Sequence, residues 1–209
     1  KYEKCLPGKG DRLSLGSYMI LANLGAVMKQ SLKSDKYEKD TENAVNTVMK
    51  MFWNPGLKVL FENVNKDGSF DLESCEGRFV NPGHGLETMW FIMNYLERTG
   101  KKDMMQDAFK YVDGIFEFGW DKQYGGIFYF MDALGKPHLE LQHDMKLWWP
   151  HNEAIIAALY AYAVSGESRF LEHFQRVDTW AWSHFPDPEY GEWFAYLDRR
   201  GVPNNLLKG

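Results

Sequence analysis

The stretch Asn81-Pro82-Gly83-His84-Gly85-Leu86-Glu87 sets an imidazole and a carboxylate one helical turn apart, with glycines on both sides of the histidine, where an amphipathic run begins. Such a pair suits proton transfer. A helix start leaves backbone N–H groups unpaired and carries partial positive charge, which disfavours imidazolium and predicts a neutral histidine available as a base. The plainer alternative is a capping histidine, and a three-residue spacing to glutamate does not separate the two. A second group of this kind is Lys146-Leu147-Trp148-Trp149-Pro150-His151-Asn152-Glu153, just ahead of an apolar helix expected over 153–165. Adjacent tryptophans beside polar groups suit a sugar: the C–H face of a pyranose packs on an indole while carboxylates and imidazoles bind its hydroxyls. Ordinary core packing of the same tryptophans competes with that reading. His151, next to Trp149 and Glu153, is expected to touch substrate, whereas His138, His143, His173 and His184 are expected to be solvated or capping. No metal is expected, because His84-x-x-Glu87 lacks the second histidine of a helical zinc motif and no cysteine cluster exists. Gly8-Lys9-Gly10-Asp11 is too short for a phosphate loop.

The elements carrying these groups recur. At a shift of 66 residues Glu87 falls on Glu153, Gly100 on Gly166, Tyr124-Gly125 on Tyr190-Gly191, and Gly135-Lys136-Pro137 on Gly201-Val202-Pro203. Leu60-Phe61-Glu62 and Asp67-Gly68 mark an earlier, more diverged copy. A period of this size means one supersecondary unit reused, so that neighbours bury each other's apolar faces. Segments 104–117, with Met105, Phe109, Val112 and Phe116 on one stripe, and 168–183, with Leu171, Phe174, Val177 and Ala181, read as half-buried outer helices. Ile155 to Val164 and Met19 to Val27 are apolar nearly all round and predict enclosed inner helices. After the outer helices come Gly126 to Met131 with the turn Asp132-Ala133-Leu134-Gly135, and Glu192 to Leu197 with Asp198-Arg199-Arg200-Gly201, which read as short β-hairpins. The expected fold is all-α: an α/α toroid forming one domain over 1–209, with three helical hairpins.

Composition narrows the function classes. With 209 residues, 44% hydrophobic and 16% aromatic, the chain can bury a sizeable core. No apolar run approaches the roughly 20 residues that span a bilayer, so no membrane partner is expected. A net charge of −5 without a basic stripe argues against a nucleic-acid partner. Two cysteines, Cys5 and Cys75, read as reduced thiols, which predicts a cytoplasmic protein.

Three motifs, Gly77 to His84, Lys146 to Ala154 and Phe185 to Leu197, together resemble the N-acylglucosamine 2-epimerase family, also known as renin-binding protein. The resemblance spans nearly the whole chain. It implies an (α/α)6 barrel and a cofactor-free interconversion of an N-acylglucosamine with its manno epimer. A C2 proton is acidified only by the aldehyde of the open-chain sugar, so such an enzyme removes it, stabilises an enediolate and returns a proton to the opposite face. By resemblance, His84 corresponds to one of two catalytic histidines, Glu87 to the carboxylate that supports it and Glu153 to a further acid. Trp148 or Trp149 would form the sugar platform, and Arg78 lies close enough to His84 in sequence either to contact substrate or to support the loop.

Departures matter as much. The family's second catalytic histidine, in a Phe-His-Val-Pro-Arg-like motif, has no counterpart here, nor does an arginine near the start of the barrel. Three helical hairpins stand where the resemblance implies six, as in the second half of an epimerase without its last helix. On that reading the chain is inactive or nearly so alone, and pairs with its missing half, forms a homodimer or aggregates. The stretch Met19-Ile20-Leu21 is apolar where cellobiose epimerases carry an additional histidine, so the acylglucosamine branch is the closer likeness. Two other readings stay open: a protein-interaction module, and a glycoside hydrolase or lyase in which Glu87 and Glu153 would work as a carboxylate pair roughly 5 to 9.5 Å apart.

Overall fold

The computed structural model describes residues 12–204 and 208. Six α-helices form three consecutive hairpins: α1 (Leu15–Leu32) with α2 (Glu38–Thr47), α3 (Pro82–Thr99) with α4 (Lys102–Gly119), and α5 (Trp148–Ser165) with α6 (Ser168–His184). A single π-helical turn, Val48–Phe52, continues α2. Helices α1, α3 and α5 pack side by side as an inner row, each backed by its own partner from the outer row, which is the arrangement of an α/α toroid. Gly100 and Gly166, matched by the 66-residue shift, end α3 and α5 in the left-handed region at φ 69° and 70°. There glycine meets no Cβ penalty.

The core follows the helical period. Met105, Phe109, Val112 and Phe116 are all buried along α4, each contributing about 1.5–3 kcal/mol relative to exposure. On α6 the buried stripe is turned by about one position from the expected one and runs through Phe170, His173, Val177, Trp180 and Ala181. His173 is therefore not solvated: it stacks on Phe116 with centroids 4.1 Å apart, and its Nε2 lies 2.8 Å from Asp113 Oδ1. Similar ties join the first two hairpins, where Arg98 meets Glu38 at 2.9 Å and Lys101 meets Glu42 at 2.5 Å. Being exposed, these pairs set register more than stability. The inner helices are not uniformly enclosed. α3, flanked on both sides, buries Leu86, Met89, Ile92, Met93 and Leu96, whereas α1 leaves Ile20, Leu21, Leu24, Val27 and Leu32 between 44 and 60% exposed.

Eight short strands make four two-stranded antiparallel ladders. β1 (Arg12–Ser14) pairs with β4 (Asn63–Asn65), and β2 (Trp53–Asn54) with β3 (Val59–Leu60). β5 (Phe79–Val80) pairs with β6 (Met131–Asp132), and β7 (Lys146–Leu147) with β8 (Tyr196–Leu197). The hairpin expected after α4 is thus corrected, while the one expected after α6 forms in part. Both turns form, with Gly135 N donating to Asp132 O at 2.9 Å and Gly201 N to Asp198 O at 3.0 Å; the first is not flanked by a ladder, whereas across the second Asp198 N donates to Val202 O at 2.8 Å and Asn204 N to Tyr196 O at 3.3 Å. Other backbone groups of these strands are taken by the segments that enter α3 and α5, and across the second turn isolated antiparallel bridges join Leu197 to Pro203 and Phe194 to Lys208. Each loop after an outer helix therefore holds the N-terminus of an inner one.

One buried ionic knot reinforces this end of the molecule. Lys146 Nζ lies 3.2 Å from Asp121 Oδ2 and 3.7 Å from the centre of the Phe128 ring, and Arg199 Nε reaches the same carboxylate at 2.9 Å. Burial pushes the Lys146 ammonium down to about 8, against the pull of Asp121.

Candidate active site

The site forms where α3 and α5 begin. Asn81 caps α3, its side chain accepting from His84 N at 3.1 Å, and Pro82 follows in the first turn, where a missing N–H has no consequence. α5 starts at Trp148, earlier than the sequence suggested, with Pro150 tolerated in its first turn. Close approach of the two helix starts depends on Gly83: a Cβ there would fall 2.7 Å from Trp149 Cζ3 and 2.9 Å from Pro150 Cβ.

His84 is the centre. Its Nδ1 lies 3.0 Å from Glu62 Oε1, its side chain is 33% exposed, and among the described residues Nε2 has no hydrogen-bond partner. The Trp149 indole lies 5.2 Å from the imidazole, with planes 36° apart, and the Tyr129 ring meets the indole edge-on at 6.1 Å. Of the two tryptophans, Trp149 borders the histidine, while Trp148 packs with Trp180, Ala181, Phe185 and Leu197. Glu153 comes across from α5 and accepts from Trp90 Nε1 on α3 at 2.6 Å. Glu87 lies one turn after His84 on α3, close enough to both His84 and Glu153 to alter its titration.

Electrostatics here run against the helix-dipole expectation. Burial works to lower the His84 pKa, but the Glu62 hydrogen bond and the charges of Glu62, Glu87 and Glu153 carry it above the usual histidine value. About half a positive charge at the helix end is outweighed by three carboxylates. Glu87 is pushed up to about 7, first by burial and then by Glu153, with His84 opposing. Burial also raises Glu153, offset in part by the Trp90 N–H and His84. His84, Glu87 and Glu153 thus shift one another's proton affinities.

Two expected site residues are drawn out of this cluster. His151 is fully buried; its Nδ1 bonds Leu147 O at 2.6 Å, its Nε2 accepts from Ile127 N at 2.9 Å, and it stacks on Trp180. Burial pushes its pKa down to about 3, so it is a neutral strut with no atom to offer a ligand. Arg78 is buried too: Nε pairs with Asp132 at 2.8 Å, and Nη1 donates to Leu72 O and Glu73 O. It ties the 72–75 loop to β6. Conversely, Glu62 and Trp90 are part of the site and were not anticipated. A carboxylate directly after the buried pair Leu60-Phe61 was the available clue to Glu62. Cys75 is an exposed free thiol, and Cys5 and Gly8 to Asp11 lie outside the described residues. No helix among the described residues is long and apolar enough to cross a membrane.

The same architecture occurs in solved structures of low sequence identity. A D-mannose isomerase aligns with TM-score 0.79 at 16% identity, over 95% of this chain and 52% of that one. A cellobiose 2-epimerase from Bacillus thermoamylovorans gives 0.76 at 18%, over 91% and 47%. A family 76 glycoside hydrolase (mannosidase) from Bacteroides thetaiotaomicron gives 0.69 at 13%, over 100% and 53%. These likenesses speak for the fold alone, which evidently carries more than one chemistry. Sequence relatives discriminate further. N-acylglucosamine 2-epimerase of Mus musculus is 44% identical over 153 residues, 73% of this chain and 36% of the relative. The Homo sapiens protein of that name is 39% identical over 194 residues, 91% of this chain and 45% of the relative. The chain thus spans less than half the length of these curated relatives. A family model for N-acylglucosamine 2-epimerase matches residues 16–209, and the chain belongs to that family.

Proposed function

We propose that this chain contributes the His84-centred base of a sugar 2-epimerase acting on an N-acylglucosamine, and that Nε2 of the partly exposed His84 side chain, beside the Trp149 ring, removes the C2 proton of the open-chain sugar. The observation carrying this reading is that nitrogen, on an imidazole whose pKa the surrounding carboxylates raise, with a sugar-sized aromatic face next to it. Glu153, anchored by Trp90, and Glu87 supply acids around the developing enediolate. Membership of the family and relatives named as N-acylglucosamine 2-epimerases support the substrate class. The exposed free thiol of Cys75 supports a reducing, cytoplasmic setting.

The test is a chimaera in which the matched segment of the human relative is replaced by this chain. Incubation with N-acetylglucosamine in deuterated water should give deuterium at C2 and the manno epimer by chromatography. His84→Ala should slow exchange by about 10²–10⁴-fold, the contribution of a positioned base. A folded chimaera that exchanges nothing, or a His84→Ala variant that exchanges at the parent rate, refutes the assignment.

A further inference from the structure

We propose that Glu62 is a positioning residue that fixes the tautomer of His84, taking the Nδ1 proton in a hydrogen bond so that Nε2 is left as the basic nitrogen on the open side. This rests on the reading of His84 as the base. Glu62 comes from the connection between β3 and β4, an earlier part of the chain than the helix that carries the histidine. It is held on both sides of its backbone: its N–H donates to Phe79 O at 3.1 Å and its C=O accepts from Leu15 N at 2.9 Å. The residue is 7% exposed, and Leu60 and Phe61 before it are buried. A carboxylate so confined has little freedom to leave the imidazole 3.0 Å away.

An ionised carboxylate only accepts hydrogen bonds. The Nε2–H tautomer would turn the Nδ1 lone pair towards it, so the neutral ring is held as Nδ1–H. Trp149, 5.2 Å from the ring, limits a flip that would exchange the nitrogens. The charged groups facing His84 are Glu62 from the β3–β4 connection, Glu87 on its own helix and Glu153 from α5; of these Glu62 has the hydrogen bond. The same logic orients the imidazole of a serine-protease triad through a buried carboxylate at Nδ1–H.

The experiment uses the 209-residue chain, labelled with ¹⁵N-histidine, with His84 assigned by difference against His84→Gln. Long-range ¹H–¹⁵N spectra should show the neutral ring as Nδ1–H, and Glu62→Ala should move it towards Nε2–H with a fall in its titration midpoint. Glu62→Gln, nearly isosteric and able to turn its carbonyl to Nδ1–H, should keep the tautomer and still lower the midpoint, which covers the case in which the alanine variant fails to fold. In the chimaera, Glu62→Ala should lower kcat about 100-fold with KM little changed, Glu62→Gln less, and the acid limb of kcat/KM should move to lower pH in both. An Nε2–H ring in the parent chain, or a tautomer and midpoint unchanged by both substitutions, overturns the proposal. The spectra need no turnover, so failure of the epimerase reading shows as absent C2 exchange in the unsubstituted chimaera while the Glu62–His84 result stands or falls separately.

Discussion

Replacing Glu87 by glutamine keeps the side chain's shape and removes its proton chemistry, which makes the electrostatics of the cluster measurable as stability. In the folded protein the Glu87 carboxyl is pushed up to about 7 by burial and by Glu153, from an ordinary value of 4.5. The folded state therefore holds this proton where the unfolded chain has lost it. Stability attributable to Glu87 is fully present below about pH 4.5 and declines as pH rises towards about 7, because ionisation then costs more in the fold than in water. At about 1.4 kcal/mol per tenfold change in proton affinity, the ceiling is about 3 kcal/mol. Glu87 is only half-buried, and solvent screening reduces that to about 1–2 kcal/mol. His84, also raised, loses its contribution in the same direction as pH climbs, whereas His151, held neutral with its pKa pushed down to about 3, loses its contribution as pH falls below the usual histidine range. His151 acts equally in both proteins, so the difference between them isolates the cluster. Urea unfolding should give Glu87→Gln within about 0.5 kcal/mol of the parent at about pH 5 and about 1–2 kcal/mol more stable at about pH 8. A difference that does not change with pH, or a glutamine variant that is less stable at about pH 8, refutes the reasoning.

Two further outcomes follow from contacts. Gly83→Ala forces a Cβ to 2.7 Å from the Trp149 ring and should cost about 1–3 kcal/mol, lowering Tm by roughly 2–4 °C per kcal/mol and shifting tryptophan emission; unchanged emission and Tm would mean the indole is free to move aside. Asp121→Ala removes the carboxylate shared by Lys146 and Arg199, leaving a fully buried ammonium unpaired, and should cost about 3–5 kcal/mol in denaturant unfolding, with a loss below about 1 kcal/mol as the contrary result.

Much of this was legible because the helix period is a strong local signal. The α4 stripe follows from spacing, whereas the enclosure expected of Met19 to Val27 and Ile155 to Val164 fails on one flank, where Ile20, Leu24, Ile156 and Leu159 stay exposed. His84, Glu87, Trp149 and Glu153, the proposed site residues, could be singled out because they sit at or near helix starts, and Trp149 and Glu153, four apart, share a face. His151 misled for the same geometric reason: two residues from each of them, it points about 200° round the helix, into the core. Pro150 made α5 seem to begin later than it does, although proline is accommodated in a first turn. Arg78 was near His84 in sequence and far from it in role, since β5 intervenes. Glu62 had no spacing to betray it, because a hydrogen bond between side chains on different repeats leaves no periodic trace. The ladder partners of β6 and β8 were hidden likewise: strands of two residues have no pattern of their own and pair with whatever backbone the helices bring alongside.

Glu62 belongs to the first helical unit, His84, Glu87 and Trp90 to the second, and Trp149 and Glu153 to the third. No single copy of the duplicated motif is therefore a primitive enzyme in miniature. The proposed chemistry needs the three units side by side: a shift of one by a fraction of a turn would separate a donor from an acceptor it does not itself encode.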